Sequence, residues 1–254
     1  MLKTIHNGLA IFRFANLSRQ PGLDHAVFTR NGGFSLPPFA SLNVGENTGD
    51  RPEAIRKNRQ MVAGYFEGRP LVFVKQVHGK NLLVMDGTDT AASGEIKEAD
   101  AMISAVPGPM LCIKLADCQS VMLYDHIKRV AANIHSGWRG SVANIIGTTV
   151  RTMTDKFGCL PSNMLAAISP SLGPCCAEFK NYEKELPEAF WKYKDGKNRF
   201  DFWQISKKQL TDAGVPEANI ETAGICTSCN TDFFFSYRKE GITGRFVTAI
   251  GMAT

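Results

Sequence analysis

His78 in KQVHG, Cys118 in ADCQS and His135 in HSGWRG are the residues of this chain best suited to chemistry. Two imidazoles and a thiolate form a good ligand set for zinc. Three protein ligands leave one tetrahedral position open, which separates a catalytic zinc site from a closed structural one. A second reading makes Cys118 a nucleophile with His135 or His78 as its base. The two readings compete, because a metal-bound thiolate is much less free to attack carbon. A third reading is structural, with hydrogen-bonded interior histidines and an inert buried thiol. Spacings of 40 residues from His78 to Cys118 and 17 from Cys118 to His135 are not those of a compact metal finger. Context adds weight: Gly79 and Gly137 flank two of the three, and a missing Cβ lets a ligand approach the backbone.

Around this trio stand further candidates. Asp117 is a possible acid/base group, although in a regular strand its side chain points away from that of Cys118. Arg139, Arg238 and Arg245 are candidate oxyanion or phosphate contacts, Arg139 through its place beside Trp138 at a helix entrance. Asn43 in SLNVG and Gln76 in KQVHG are, with Arg238, the substrate-binding candidates; Asn43 has an equal reading as a turn cap. The turn Thr29–Gly33 lacks the Gly-Lys-Ser/Thr ending of a P-loop. Cys226-Thr227-Ser228-Cys229 is a CxxC pair without a second pair, incomplete for a structural zinc site. It reads as reduced structural thiols, and the adjacent Cys175-Cys176 carry no assigned role.

The elements that must position these residues are short. Leu71–Val77 reads as a strand ending at His78, and Asp86–Asp100 as a polar loop. Met110–Leu115, Val121–Tyr124 and Val130–Ile134 read as strands, the last two joined by a tight turn at Asp125–Lys128. After His135 the period changes. Val142, Ile145, Ile146, Val150, Met153 and Phe157 fall at helical spacing, with Ser141 as N-cap and Gly158 as stop. HSGWRG therefore lies at a strand-to-helix turn, where free backbone N–H groups suit an anion. Leu165–Ile168 is a further strand. Tyr182–Lys194 and Phe202–Ala213 read as helices, and Glu221–Ile225, Phe233–Tyr237 and Arg245–Ile250 as strands. Local hairpins with scattered helices predict an α+β fold, one domain of 254 residues.

Composition narrows the classes. A net charge of +5 without a dense Lys/Arg run gives no nucleic-acid arm. No signal peptide and no membrane-spanning apolar run are read. Seven cysteines, an odd number in a chain too large to need staples, point to reduced thiols in the cytoplasm. No long amphipathic seam invites assembly, so a monomer is expected.

The motifs FTRNGGFS with SLNVG, KQVHG, ADCQS, HSGWRG, SLGPCC and CTSCN…FFSYR stand in the order found in the YfiH-like family, which this chain closely resembles from about Asp24 to Gly251. The family is also called the laccase-domain or multicopper polyphenol oxidase family. The resemblance implies a single domain with mixed sheets flanked by helices, akin to the deamidase domain of cytotoxic necrotizing toxins. It implies that His78, Cys118 and His135 bind zinc in a surface pocket. It also implies phosphorolysis of adenosine, inosine and methylthioadenosine, with adenosine deaminase activity and a role in peptidoglycan editing. Gln119 and Ser120 depart from the apolar residues or Pro that usually follow ADC in the family. A trinuclear copper cluster is a poor fit, because the five histidines contain no His-x-His pair; a single copper ion is the alternative metal.

Overall fold

Apolar runs that end at turn residues assemble into two six-stranded mixed sheets, seen in a computed structural model that describes residues 1–87 and 97–254. The strands are β1 (Leu2–His6), β2 (Leu9–Arg13), β3 (Leu23–Phe28), β4 (Leu71–Phe73), β5 (Leu82–Met85) and β6 (Ala101–Ser104). They continue with β7 (Met110–Leu115), β8 (Gln119–Asp125), β9 (Val130–Ser136), β10 (Met164–Ile168), β11 (Ile220–Thr222) and β12 (Phe246–Met252). One sheet runs β1-β2-β3-β12-β7-β4 and the other β11-β10-β8-β9-β6-β5. Every residue of β8, β9 and β12 is buried, so these strands show no in–out alternation. Their faces are covered on both sides.

Three apolar layers account for that burial. Between the sheets, Leu111, Ile113, Phe246 and Ile250 meet Met122, Tyr124, Ala131 and Ala167. Outside the second sheet, Ile145, Ile146, Val150 and Met153 of helix Ile145–Phe157 cover Val121, Leu123, Ala132 and Ile134. Outside the first, Val62 of helix Pro52–Tyr65 and Phe66 just beyond it cover Phe28, Cys112 and Ala249. The result is an α+β stack of helix, sheet, sheet and helix.

The interface between the sheets is not purely apolar. Asn133 on β9 donates from Nδ2 to the Leu111 carbonyl on β7 at 2.9 Å and to the Thr248 carbonyl on β12 at 3.2 Å. Its Oδ1 accepts from Ser120 on β8 at 2.6 Å, and Thr248 donates to Ser120 at 2.8 Å. All three side chains are buried. A satisfied buried network of this kind fixes how two elements lie against each other.

Several expectations are corrected by local chemistry. The strand read from Leu71 to Val77 stops at Phe73, because the Gln76 amide takes over both backbone groups of Lys114 at 2.9 Å. Asn144, not Ser141, caps the long helix, accepting from the Gly147 N–H at 3.1 Å. Ser141 lies in a separate short helix, Trp138–Val142. Gly158 ends the long helix as expected, at φ 63°. The helix read over Tyr182–Lys194 is split into Tyr182–Glu185 and Glu188–Trp191 by Pro187, which restricts Leu186 before it. Glu221–Ile225 shrinks to the three-residue β11. Phe233–Tyr237 is no strand; Phe234 and Phe235 are buried in irregular chain, and Ser236 caps a short helix at Tyr237–Glu240. The loop read over Asp86–Asp100 lies, for residues 88–96, outside the described residues. Among the described residues no helix is long and apolar enough to cross a membrane.

Candidate metal centre and pocket

His78 follows β4 of the first sheet and precedes β5 of the second, and the segment Ala116–Cys118 joins β7 of the first to β8 of the second. Both residues thus lie where the chain passes from one sheet to the other. His135 sits near the end of β9, paired in register with Ser120 on β8. Two left-handed residues make these passages possible: His78 at φ 60° and Asp117 at φ 91°. Such conformations cost about 1–3 kcal/mol in non-glycine residues and persist only where surroundings impose them.

The three residues converge. One ligand atom from each of His78, Cys118 and His135 lies within 4.8 Å of the others. Cys118 Sγ is 3.8 Å from His78 Nε2, and the two imidazole rings meet edge to face at 4.8 Å. Gly137 keeps this spot open, since a Cβ there would press to 3.0 Å from Cys118 Sγ and His78 Cδ2 and displace them. Gly79 is not crowded in this way; its N–H is what the site uses.

The residue that organises the trio is one the sequence reading passed over. Asp100, fully buried, accepts from the backbone N–H of His78 at 2.9 Å, of Gly79 at 2.7 Å and of Val77 at 3.3 Å. The same carboxylate lies 2.8 Å from His135 Nδ1. His135 Nδ1 therefore donates to Asp100 and Nε2 is left facing Cys118, the carboxylate–histidine arrangement that orients metal-ligating imidazoles. Burial opposes the charge on Asp100, but His135 and the Gly79 and His78 N–H groups outweigh it and hold the carboxyl below its usual range. Asp100 ends a polar stretch; only its position directly before the apolar run of β6 set it apart.

The electrostatics suit a soft ligand. Burial pushes the Cys118 thiol up, but His135 and His78 beside it pull it down to about 6. For His135 burial works downward, while the Cys118 sulfur and Asp100 raise it to about 9. The thiolate is the form that binds metal. A mixed S,N,N donor set with Asp100 behind one imidazole fits a single zinc ion, with one position open.

This trio opens onto a cavity of about 680 Å³. Trp138, Phe179, Phe202 and Tyr237 give it an aromatic wall, and Lys75, Lys114, Arg238 and Arg245 border it with positive charge. Arg245 is braced through Nη1 by the Thr243 and Gly244 carbonyls at 2.9 and 2.8 Å. Arg238 spans from the cavity to the Cys176 and Glu178 carbonyls, both at 3.0 Å.

Other expected site residues fall into two groups. Arg238, Arg245, Gln76 and Asp117 border the cavity. Asp117 is, however, saturated: its carboxylate accepts from Thr227 and Ser236 hydroxyls, each at 2.7 Å, and from the Arg238 N–H at 2.6 Å. The left-handed bend does free it from strand alternation, but turns it to these loops. Arg139 is exposed and stacks on Trp138 at 4.6 Å, off the cavity lining. Asn43 is fully buried and binds Thr48, Asp50 and the N–H groups of Gly45 and Arg245, so it shapes the wall without reaching the space. Gln119, the departure noted beside Cys118, borders the cavity; its Oε1 accepts from Ser206, and its Nε2 is buried without a hydrogen-bond partner among the described residues.

Residues 24–253 match the family model described as multi-copper polyphenol oxidoreductase laccase. The purine nucleoside phosphorylase of Bacteroides thetaiotaomicron is 34% identical, over 93% of this chain and 94% of its own length. The purine nucleoside phosphorylase YfiH of Escherichia coli is 34% identical, over 87% of this chain and 90% of its own. The crystal structure of YlmD from Geobacillus stearothermophilus superposes with a TM-score of 0.87 at 27% identity, covering 99% of this chain and 98% of that one. With its ordered motifs, its two mixed sheets and these matches, the chain belongs to the YfiH/YlmD family of laccase-like domains.

Proposed function

We propose that this chain is a zinc-dependent purine nucleoside phosphorylase, a monomer in the reducing cytoplasm, that cleaves adenosine, inosine and methylthioadenosine with inorganic phosphate. The observation that carries this reading is one cavity that brings together His78, Cys118 and His135, an aromatic wall and a set of cations. Its volume lies within the roughly 300–1,000 Å³ usual for small-molecule sites. Relatives named purine nucleoside phosphorylase over most of the chain support the same reading.

The wall of Trp138, Phe179, Phe202 and Tyr237 offers flat apolar surface to a purine ring. Arg245 and Arg238 present guanidinium groups fixed by backbone carbonyls, and Lys114 adds a third charge, together a seat for phosphate. Phosphorolysis then joins a phosphate oxygen to the sugar C1′ as the bond from C1′ to the base nitrogen breaks. The electron pair leaves with the purine, and the oxocarbenium-like sugar between them is stabilised by the adjacent phosphate charge. His78, Cys118 and His135 would hold zinc, which when bound supplies Lewis acidity toward the substrate. Asp100 holds the Nδ1 proton of His135, and Asp117 positions the loops that carry Thr227, Ser236 and Arg238. Adenosine deamination is the second activity assigned to the same pocket. Copper oxidase chemistry is not proposed, because the described residues gather no histidines beyond His78 and His135.

One geometric fact favours a rival. Cys118, His135 and Asp100 also line up as nucleophile, base and orienting carboxylate, as in a thiol amidase acting on a cell-wall precursor. Incubation of the purified chain with inosine or adenosine, with and without phosphate, separates the readings. Phosphate-dependent release of free base, lost in Cys118→Ala together with the zinc held by His78, Cys118 and His135, is expected. Inosine formed from adenosine without phosphate would report deamination. A zinc-loaded chain that turns over no nucleoside would overturn the phosphorylase assignment.

A further inference from the structure

The pair missing from CTSC is supplied by the fold. The turn after β10 brings Cys175 and Cys176 against Cys226 and Cys229, and all four sulfur atoms lie within 4.8 Å of one another. Cys229 Sγ stands 3.5 Å from Cys175 Sγ and from Cys176 Sγ. A disulfide needs about 2.05 Å between sulfurs. Four sulfurs placed about 2.3 Å from one zinc ion are separated by roughly 3.8 Å along each tetrahedral edge. The observed spacing therefore matches shared coordination and not a covalent pair; all four cysteines are free thiols.

We propose that Cys175, Cys176, Cys226 and Cys229 form a second metal site, a closed four-thiolate seat for a thiophilic divalent ion, with zinc as its occupant, that clamps one wall of the pocket. Three features of its surroundings agree. The two turns are already in register, through a bridge of Ser171 with Cys226 and the Thr227 N–H donating to the Ser171 carbonyl at 3.0 Å. The Gly173 N–H points to Cys226 Sγ at 3.3 Å, the kind of N–H to sulfur contact that steadies a thiolate. Four thiolates around a divalent ion leave a net charge of −2. Two guanidinium groups stand at the cluster, Arg199 donating to the Cys175 carbonyl at 3.1 Å and Arg238 to the Cys176 carbonyl at 3.0 Å.

The same contacts say what the clamp holds. Arg238 reaches from the Cys176 carbonyl into the cavity bordered by Cys118. Thr227, inside the CxxC turn, donates to Asp117, the residue before Cys118. Fixing the four sulfurs to one ion fixes both the arginine and the loop that presents Cys118.

Cobalt distinguishes the two sites cleanly, because Cys118 is the only sulfur in the first. The Cys118→Ala chain, expressed in zinc-poor medium supplemented with cobalt, is expected to bind about one equivalent. It should show intense thiolate-to-cobalt charge-transfer absorption with tetrahedral d–d bands. Adding Cys229→Ser should remove most of that absorption and the bound ion. Absence of any thiolate-to-cobalt band in folded Cys118→Ala would overturn the proposal. So would a disulfide among these four cysteines in non-reducing peptide maps of anaerobically purified protein, or cobalt binding unchanged by Cys229→Ser. The readout requires no turnover, so a failure of phosphorolysis leaves it untouched, and the converse also holds.

Discussion

The two sulfur-bearing clusters of this molecule are built on opposite plans. Around Cys118 one sulfur is joined by two imidazoles, a buried carboxylate fixes one ring, and a charged aromatic cavity stands in front. Around Cys229 four sulfurs come from two turns, with guanidinium groups on the flanking carbonyls. On the reading proposed above, the first plan leaves a coordination position for a substrate and uses buried polar groups for orientation. The second, on the same reading, leaves none and ties chain to chain. Ligand count and second partners, more than the presence of cysteine, separate a site that acts from one that holds.

That contrast can be broken experimentally. Asp100→Asn keeps shape but removes the charge that gathers three backbone N–H groups and His135. Activity and zinc affinity at the first site are expected to fall about 10- to 100-fold, while cobalt at the four-cysteine cluster stays bound. Equal loss from both clusters would show that Asp100 supports the fold at large.

One buried histidine outside both clusters is expected to make the fold acid-sensitive. His25 is held down to about 3 by burial and by the positive charge of Arg13, with its Nε2 accepting from the Phe14 N–H at 2.9 Å. The unfolded chain takes up that proton first, near pH 6.5. Stability is therefore complete above pH 6.5 and is lost as the pH falls toward 3. The loss is up to about 1.4 kcal/mol per pH unit, tenfold in the folding constant. Urea unfolding of the chelated chain across that range checks it; a flat profile would refute it.

Smaller effects test the cavity. Arg245→Gln is expected to raise the KM for phosphate several-fold with little change in kcat, read from initial rates at varied phosphate. Arg139→Gln, altering an exposed residue stacked on Trp138, should change neither by more than about twofold. An Arg139 effect as large as that of Arg245 would move the anion seat to the helix entrance.

What the sequence could reveal followed the range of its signals. β7 was legible to the residue and β8 and β9 within two residues at either end, because apolar runs are local facts; the motifs that carry His78, Cys118 and His135 are local as well, and the fold brings those three residues together. Asp100 and the second cysteine pair were not legible. Their roles depend on partners far along the chain, 35 residues between Asp100 and His135 and 53 between Cys176 and Cys229. Asn43 and Asp117 show the same limit from the other side. Each has the right chemistry for a site, and each is consumed by local hydrogen bonds that residue type does not reveal.

The crossings of His78 and Cys118 between the sheets carry a further meaning. Two of the three converging residues, His78 and Cys118, belong to neither sheet, so the distance between them is a gauge of how the sheets are docked. The buried patch of Ser120, Asn133 and Thr248 is then an alignment key for that site, set in the core behind it. Evolution or design could tune metal affinity here from the middle of the core, leaving every ligand in place.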